Sequence, residues 1–262
     1  MSQILWNLSA DKVLATLREG KRSDGRKFDE YRPVQVIKNV SENADGICRI
    51  KLGQTDVVAG IKMIPGEPFP DTPDAGTISV GAELLALADP TFEAGPPREG
   101  SIELSRVVDR GIRESNCLDF KSLCIREGEL VWVVFIDIYV LNFDGNLFDA
   151  CALAALIALQ DTKIPKLDDK DKPVKGEFAG KLKLARKPVM CTFVKVGNSV
   201  VVDPSLAEEK ALDARFSVTT TEDDFISAFQ KGGEGAFSPE EINKCVALAF
   251  KKGKELRKQY CE

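Results

Sequence analysis

The 262-residue chain contains no histidine. That absence removes Ser-His-Asp and Cys-His nucleophilic systems, histidine-liganded zinc and histidine proton shuttles. Any acid–base work falls to Asp, Glu, Lys, Tyr or Cys. There is no Cys-x-x-Cys pair, and the cysteines are odd in number at seven. Several sit among apolar neighbours, so reduced, mostly buried thiols are expected rather than disulfides or a zinc cluster. An excess of positive charge is missing too: 36 Lys and Arg against 41 Asp and Glu leave a net charge of -5. A surface coated uniformly with cations does not fit that balance, so a grip on nucleic acid would have to come from a local patch. No apolar run reaches the ~18 residues a membrane span needs. Met1 to Ala10 shows no basic segment followed by an apolar one, so no secretory signal is read there and the cytoplasm is the expected location. Walker loops, Gly-x-Gly-x-x-Gly and Gly-x-Ser-x-Gly are absent.

What is present is an ordinary globular composition, 44% hydrophobic and 29% charged. The length suits two modest domains or one large one, with a core that needs no disulfide or metal support. Ser9 is placed to cap a helix running to about Glu19, which Gly20 ends. Lys21 to Arg26 reads as a solvated basic loop around the Asp24-Gly25 turn. From Pro33 to Ile64 the pattern is β, and Met63 to Gly76 is loop because Pro65, Pro68, Pro70 and Pro73 block regular pairing. Alternation of Ile78, Val80, Ala82 and Leu84 predicts a strand from Thr77 to about Ala86. Glu99 to Glu114 reads as a helix, Val131 to Leu141 as a long strand, and Leu147 to Leu159 as a helix apolar on nearly all faces, hence buried. Lys166 to Lys187, rich in Lys, Asp, Glu, Gly and Pro, reads as a charged linker or hairpin. It separates a first domain, 1–165 with its N-terminal helix, from a second, 188–262. In the second, strands cover Val189–Val196, Ser199–Val202, Phe216–Thr220 and Phe225–Gln230. Ser238-Pro239-Glu240-Glu241 then opens the last helix as a capping box with proline at its first position. The order is strands then helices, twice, which is an α+β layout and not a doubly wound one.

Four places offer chemistry. On the Glu99–Glu114 helix, Arg106, Arg110 and Arg113 fall within about 60° of one another, opposite the apolar face of Leu104, Val107, Val108 and Ile112. Such a stripe is either a phosphate-binding comb or a salt-bridged solvent face, since Glu103–Arg106, Asp109–Arg113 and Arg110–Glu114 stand at i,i+3 or i,i+4. Spacing alone favours the salt-bridged face. Asp203, Glu208, Glu209 and Asp213 are an acidic cluster after a strand, open to metal or general-acid work, but more simply a solvated acidic loop. Gly145-Asn146 precedes the buried helix, whose N-terminus attracts anions in principle; the following Leu147 and Phe148 supply neither charge nor a side-chain donor. Asp137, in an apolar strand, either faces solvent or pairs with an arginine.

Several stretches together resemble one family: Ser23-Asp24-Gly25-Arg26 with Tyr31-Arg32, Lys51-Leu52-Gly53-Gln54-Thr55, and Phe69-Pro70-Asp71-Thr72-Pro73. Thr91 to Pro97, Ile102 to Arg110, Asp144-Gly145-Asn146 and Val202-Asp203-Pro204-Ser205 complete the set. Over nearly its whole length the chain resembles the RNase PH-like ring subunits of the archaeal exosome, and among them the non-catalytic paralogue. The resemblance implies an RNase PH-like α+β fold of two tandem sheet-plus-helix layers, ribosomal-S5-domain-2-like. It implies a hexameric ring of three heterodimers with a catalytic RNase PH-like partner, RNA-binding cap subunits on one face, and single-stranded RNA in a central channel. RNA is degraded there from its 3′ end by attack of inorganic phosphate, releasing nucleoside diphosphates. Active members hold phosphate with a Ser/Thr-Arg pair at positions matched here by Leu147 and Phe148. They carry two aspartates, matched here by Asp203 and Glu209. An apolar pair cannot neutralise a phosphate dianion, so no catalytic residue, metal ligand or cofactor is assigned to this chain alone. By the same resemblance Arg106 and Arg110 contact the RNA backbone, while Arg113 shares their face without being matched by the motif. The expected role is thus a non-catalytic, RNA-binding subunit that shapes its partner's active site. The alternatives are an active phosphate-dependent exoribonuclease and a scaffold without RNA contact.

Overall fold

The computed structural model describes residues 3–261, with side-chain surroundings from Ala10 to Cys261. Helix α1 (Gln3–Arg18) leads into a sheet built from β1 (Val34–Lys38), β2 (Gly46–Leu52), β3 (Thr55–Gly66), β4 (Thr77–Leu84), β5 (Cys124–Arg126) and β6 (Leu130–Asn142). Its order is β1-β2-β3-β6-β4, with β5 beside β6; β4 runs parallel to β6 and the other pairs are antiparallel. Between β4 and β6 lies α2 (Glu99–Arg113), and after β6 comes α3 (Leu147–Asp161). A hairpin, β7 (Lys163–Leu167) with β8 (Pro173–Lys181), precedes a second sheet of order β10-β9-β11-β12. Its strands are β9 (Val189–Val196), β10 (Ser199–Val202), β11 (Ala214–Thr220) and β12 (Ile226–Gly232), with α4 (Leu206–Lys210) between β10 and β11 and α5 (Pro239–Tyr260) at the end.

The strands are what the alternation in the sequence demands. In β2 every second residue is buried, Cys48, Ile50 and Leu52 among them, so one face of the pleat lines the core. Helix α3 is buried from Leu147 to Leu159. It packs on β2 and β3 of the first sheet and on β9 of the second. Its alanines let backbone from both layers come close, and one apolar cluster therefore runs from Ile50 and Ile138 through Leu156 to Phe193 and Val218. All seven cysteines are free; six are buried and Cys124 is half-buried. Burial pushes the Cys117 thiol up to about 11, far from a reactive thiolate.

Some expectations need correction. The first helix begins at Gln3, well before Ser9; Ser9 is therefore interior, and its side chain lies outside the described residues. Strand β3 continues through Pro65 and Gly66, opposite Trp132 and Val131, because a proline forfeits one donor but not the whole ladder. The charged stretch from Lys166 takes the hairpin form of its two expected readings, as β7–β8. The acidic stretch after Val202 holds α4, capped by Ser205 and Glu208 in a reciprocal box. Asp137 is exposed on β6, the solvent-facing one of its two expected placements; partial desolvation raises its carboxyl pKa.

Candidate nucleic-acid interface and the closed turn beside it

On α2 the apolar face is committed to the core: Leu104, Val107, Val108, Gly111 and Ile112 are buried. The opposite face resolves the choice between comb and salt bridges pair by pair. Asp109–Arg113 forms, with Nη2 and Nε donating to the two carboxylate oxygens at 2.8 and 3.0 Å. Arg113 also donates to the Ile78 carbonyl at 3.1 Å and stacks over Phe120. Glu103 turns instead to Arg215 and Gln230 on the second sheet. Among the described residues Arg110 donates only to the Gln230 side-chain oxygen, at a long 3.5 Å. Arg106 makes no ion pair or hydrogen bond among the described residues. Arg106 and Arg110 are exposed and line a shallow pocket of about 240 Å³ with Val80, Ser105, Asp109 and Glu114. Of the three expected arginines, two are exposed without an ion pair among the described residues, and the third is tied to Asp109 and Ile78.

The acidic cluster is not a solvated loop. Asp203 is fully buried. Its Oδ2 accepts from Arg26 Nη1 at 2.8 Å, the Arg32 backbone N–H at 2.8 Å and Arg32 Nε at 3.0 Å. Its Oδ1 accepts from Arg32 Nη2 at 2.7 Å and Asn146 Nδ2 at 2.8 Å. A carboxylate offers about four lone-pair sites, so five donors leave none for a metal or a substrate proton. Those donors, Arg32 foremost, hold Asp203 below the usual carboxylate range although burial alone would raise it. Glu208 takes a bidentate fork from buried Arg22, at 2.8 and 2.6 Å. Asp213 lies apart, accepting from the Gly197 N–H. Among the described residues no group of three or more His, Cys, Asp and Glu is gathered to hold a metal.

Around the N-terminus of α3 the turn is packed shut. Gly145 has φ +89, and a Cβ there would lie 2.5 Å from the Ser205 carbonyl carbon, so only glycine lets the two turns meet. Arg32 ties them together, donating to the carbonyls of Asp144, Gly145 and Pro204. Asn146 caps the helix in a left-handed conformation, and its backbone N–H donates to Glu209 Oε1 at 2.8 Å. The protein's own carboxylate therefore takes the anion position that a helix start offers. Burial pushes Glu209 up to about 7 despite that bond. Burial likewise raises Asp149, in the first turn of α3, to about 6, although Asn146, Tyr31 and Thr192 all donate to it. Leu147 and Phe148 are buried, and the Arg215 guanidinium lies 4.1 Å above the Phe148 ring.

Reasoning from the sequence missed buried Arg22 and Arg32, with half-buried Arg26, as one set. The signal was there only as counterparts: three arginines in one short stretch and three carboxylates in another, 171 or more residues away in the pairs to Asp203 and Glu208. Nothing in their spacing says that they meet.

With the geometry in place, comparison with known proteins agrees with it. Residues 30–165 match domain 1 of the 3′ exoribonuclease family, RNase PH, and residues 187–252 match its domain 2. The exosome complex component Rrp42 of Thermococcus kodakarensis is 47% identical over 260 residues, covering 98% of this chain and 96% of that protein. A solved chain from an Archaeoglobus fulgidus exosome with RNA bound to the active site superposes with a TM-score of 0.93 at 48% identity, over 98% of this chain and 100% of that one. A chain of an archaeal exosome core gives 0.88 at 45%, over 99% and 98%. The fold is thus the expected RNase PH-like α+β arrangement, and the chain belongs to the RNase PH family of 3′ exoribonucleases.

Proposed function

We propose that this chain is a non-catalytic subunit of an exosome-type hexameric ring. In that ring it contributes to binding single-stranded RNA and to shaping the active site of a catalytic RNase PH-like partner, which degrades RNA from the 3′ end with inorganic phosphate. RNA-binding cap subunits complete the assembly. The observation that carries this reading is the closed turn at α3. Phosphorolysis needs a cationic seat where inorganic phosphate can attack the terminal phosphodiester. Here Glu209 holds the Asn146 N–H, Phe148 fills the adjoining position beneath Arg215, and Asp203 is saturated by five donors. A phosphate dianion entering there would meet a carboxylate and an aromatic ring.

RNA contact falls to Arg106 and Arg110, which present unpaired guanidinium groups on one exposed face. A phosphodiester backbone is met by such groups without reading bases. Arg113 stands behind them, its fork spent on Asp109. That bond keeps Asp109 from pairing with Arg110. The chain is acidic overall, yet a few cations turned toward a channel shared with a partner suffice for sequence-tolerant binding.

The test is a comparison of the chain alone with the chain reconstituted with its catalytic partner, on oligo(A) with phosphate and Mg²⁺. The chain alone should release no nucleoside diphosphate, and the complex should. Release by the chain alone would make it an enzyme in its own right. In the complex, Arg106→Glu with Arg110→Glu should weaken RNA binding and slow turnover. Unchanged affinity and rate would reduce the chain to a scaffold.

A further inference from the structure

The geometry points to a second anion site, for a phosphate-class group, at the C-terminal end of α5, on residues that the proposed function does not use. A pocket of about 310 Å³ is lined there by Lys187, Glu222, Asp224, Lys254, Arg257 and Lys258. Arg257 is 7% exposed. Its Nη1 donates to the Thr220 carbonyl at 2.8 Å and to Thr220 Oγ1 at 3.3 Å. It has no carboxylate at ion-pair distance, and neither do Lys187, Lys254 or Lys258, among the described residues. Glu222 is engaged by the Lys187 backbone N–H at 2.8 Å. Gly253, one turn back, makes the arrangement possible: a Cβ there would lie 3.2 and 3.3 Å from Arg257 Nη1 and Nη2.

The other deeply buried arginines set the standard. Arg22 grips Glu208, and Arg32 grips Asp203, each through two nitrogens. A guanidinium taken out of water requires such a counter-charge. Arg257, as buried as Arg32, has only the neutral oxygens of Thr220 as hydrogen-bond partners; desolvation depresses its pKa although Glu222 and Asp224 oppose it from farther off. Cations near a helix C-terminus are favoured by the helix dipole. That accounts for exposed Lys254 and Lys258, but not for a buried guanidinium directed to a neighbouring strand. Four cations against two carboxylates leave the pocket two charges in excess. Its volume lies at the lower end of small-ligand sites, room for a phosphoryl group with some hydration. A guanidinium fork with flanking ammonium groups selects a multi-oxygen anion over a halide. Inorganic phosphate and the phosphodiester of an RNA strand share that chemistry.

The experiment is calorimetric titration of inorganic phosphate into the full chain at constant ionic strength, beside a Lys254→Ala/Lys258→Ala variant. Neither lysine bonds within the fold's core, so the variant should remain folded, which its thermal midpoint checks. Saturable binding is expected in the wild type, at least about tenfold weaker in the variant. Repeating the titration with a short oligoribonucleotide present separates the sources. Loss of the phosphate heat means that RNA takes the site, and persistence means that free phosphate does. No saturable heat in the wild type, or equal affinity in the variant, would overturn the proposal.

Discussion

Arg22 and Arg32, before β1, and Arg106 and Arg110, on α2, carry the same group in opposite circumstances. The first pair is buried, and every nitrogen that reaches the interior finds a carboxylate or carbonyl. The second pair is exposed and holds no carboxylate. Both differences have one cause. A buried guanidinium must be repaid with hydrogen bonds from opposite charge, and once repaid it has nothing left for a ligand. An exposed guanidinium stays hydrated at little cost and can exchange that water for phosphate. The stretch richest in buried charge therefore has its guanidinium groups committed inside the fold, while the plain helix face keeps its own free to exchange water for an anion.

Breaking the buried set should have the largest effect. Asp203→Ala leaves Arg32 and Arg26 without their carboxylate, and removing one partner of a buried pair costs about 3–5 kcal/mol. Urea unfolding of the variant reads that loss directly. A change below about 1 kcal/mol would mean that water enters the turn and repays the arginines, and the contrast with α2 would dissolve.

The same turn should carry a pH signature. Burial holds Glu209 at about 7 and Asp149 at about 6, both above the values of unfolded carboxylates. The native state therefore binds these protons more tightly than the unfolded one. Their contribution to stability is present at about pH 4 and declines as pH rises through 6 to 7. Asp203 acts in the other sense: its lowered pKa favours the fold above the usual carboxylate range and is lost as pH falls below it. Thermal midpoints between pH 4.5 and 7.5 should fall less steeply in Glu209→Gln, whose amide oxygen can still accept from Asn146. An identical slope would mean that Glu209 is solvated and that the α3 N-terminus is open.

Arg113 sharpens the comparison because it lies between the two regimes. Its pair with Asp109 is half-exposed, so Arg113→Met should cost no more than about 1 kcal/mol by denaturation. RNA binding by the reconstituted ring should keep its salt dependence. A change as large as that of an exposed arginine would restore the three-residue comb that spacing on the helix suggests.

How far the sequence was legible follows the range of the forces involved. The buried helix at Leu147, the capping box at Ser238 and the alternation from Ile78 to Leu84 in β4 are local patterns, and each stands where the sequence puts it. The face shared by Arg106 and Arg110 is likewise a matter of 100° per residue. The salt-bridged reading of that face holds for Asp109–Arg113 and not for Glu103–Arg106, because Glu103 found Arg215 on the second sheet, a partner 112 residues away. The loop at Arg22 and the acidic stretch at Asp203 were both read as solvated for the same reason: each looks like a charge run until the other is beside it. Charges that neutralise one another over long separations leave no periodic trace, so composition marked both stretches as charged but not as each other's partners.

The smallest effect on the fold should come with the clearest effect on RNA. Arg106 bonds to nothing in the described chain, so Arg106→Ala should leave stability within about 0.5 kcal/mol. If it neutralises one phosphate of a single strand, the slope of log K against log salt should lessen by about 0.7. Arg110→Ala should do the same, and the two should add, because neither residue shares a partner with the other. Affinity measured at four or five salt concentrations with the reconstituted ring decides it. A fall in affinity with an unchanged slope would mean that the arginines act by holding α2 in place and not by meeting phosphate. The exposed pair would then be structural too, and the two groups of arginines would differ only in depth.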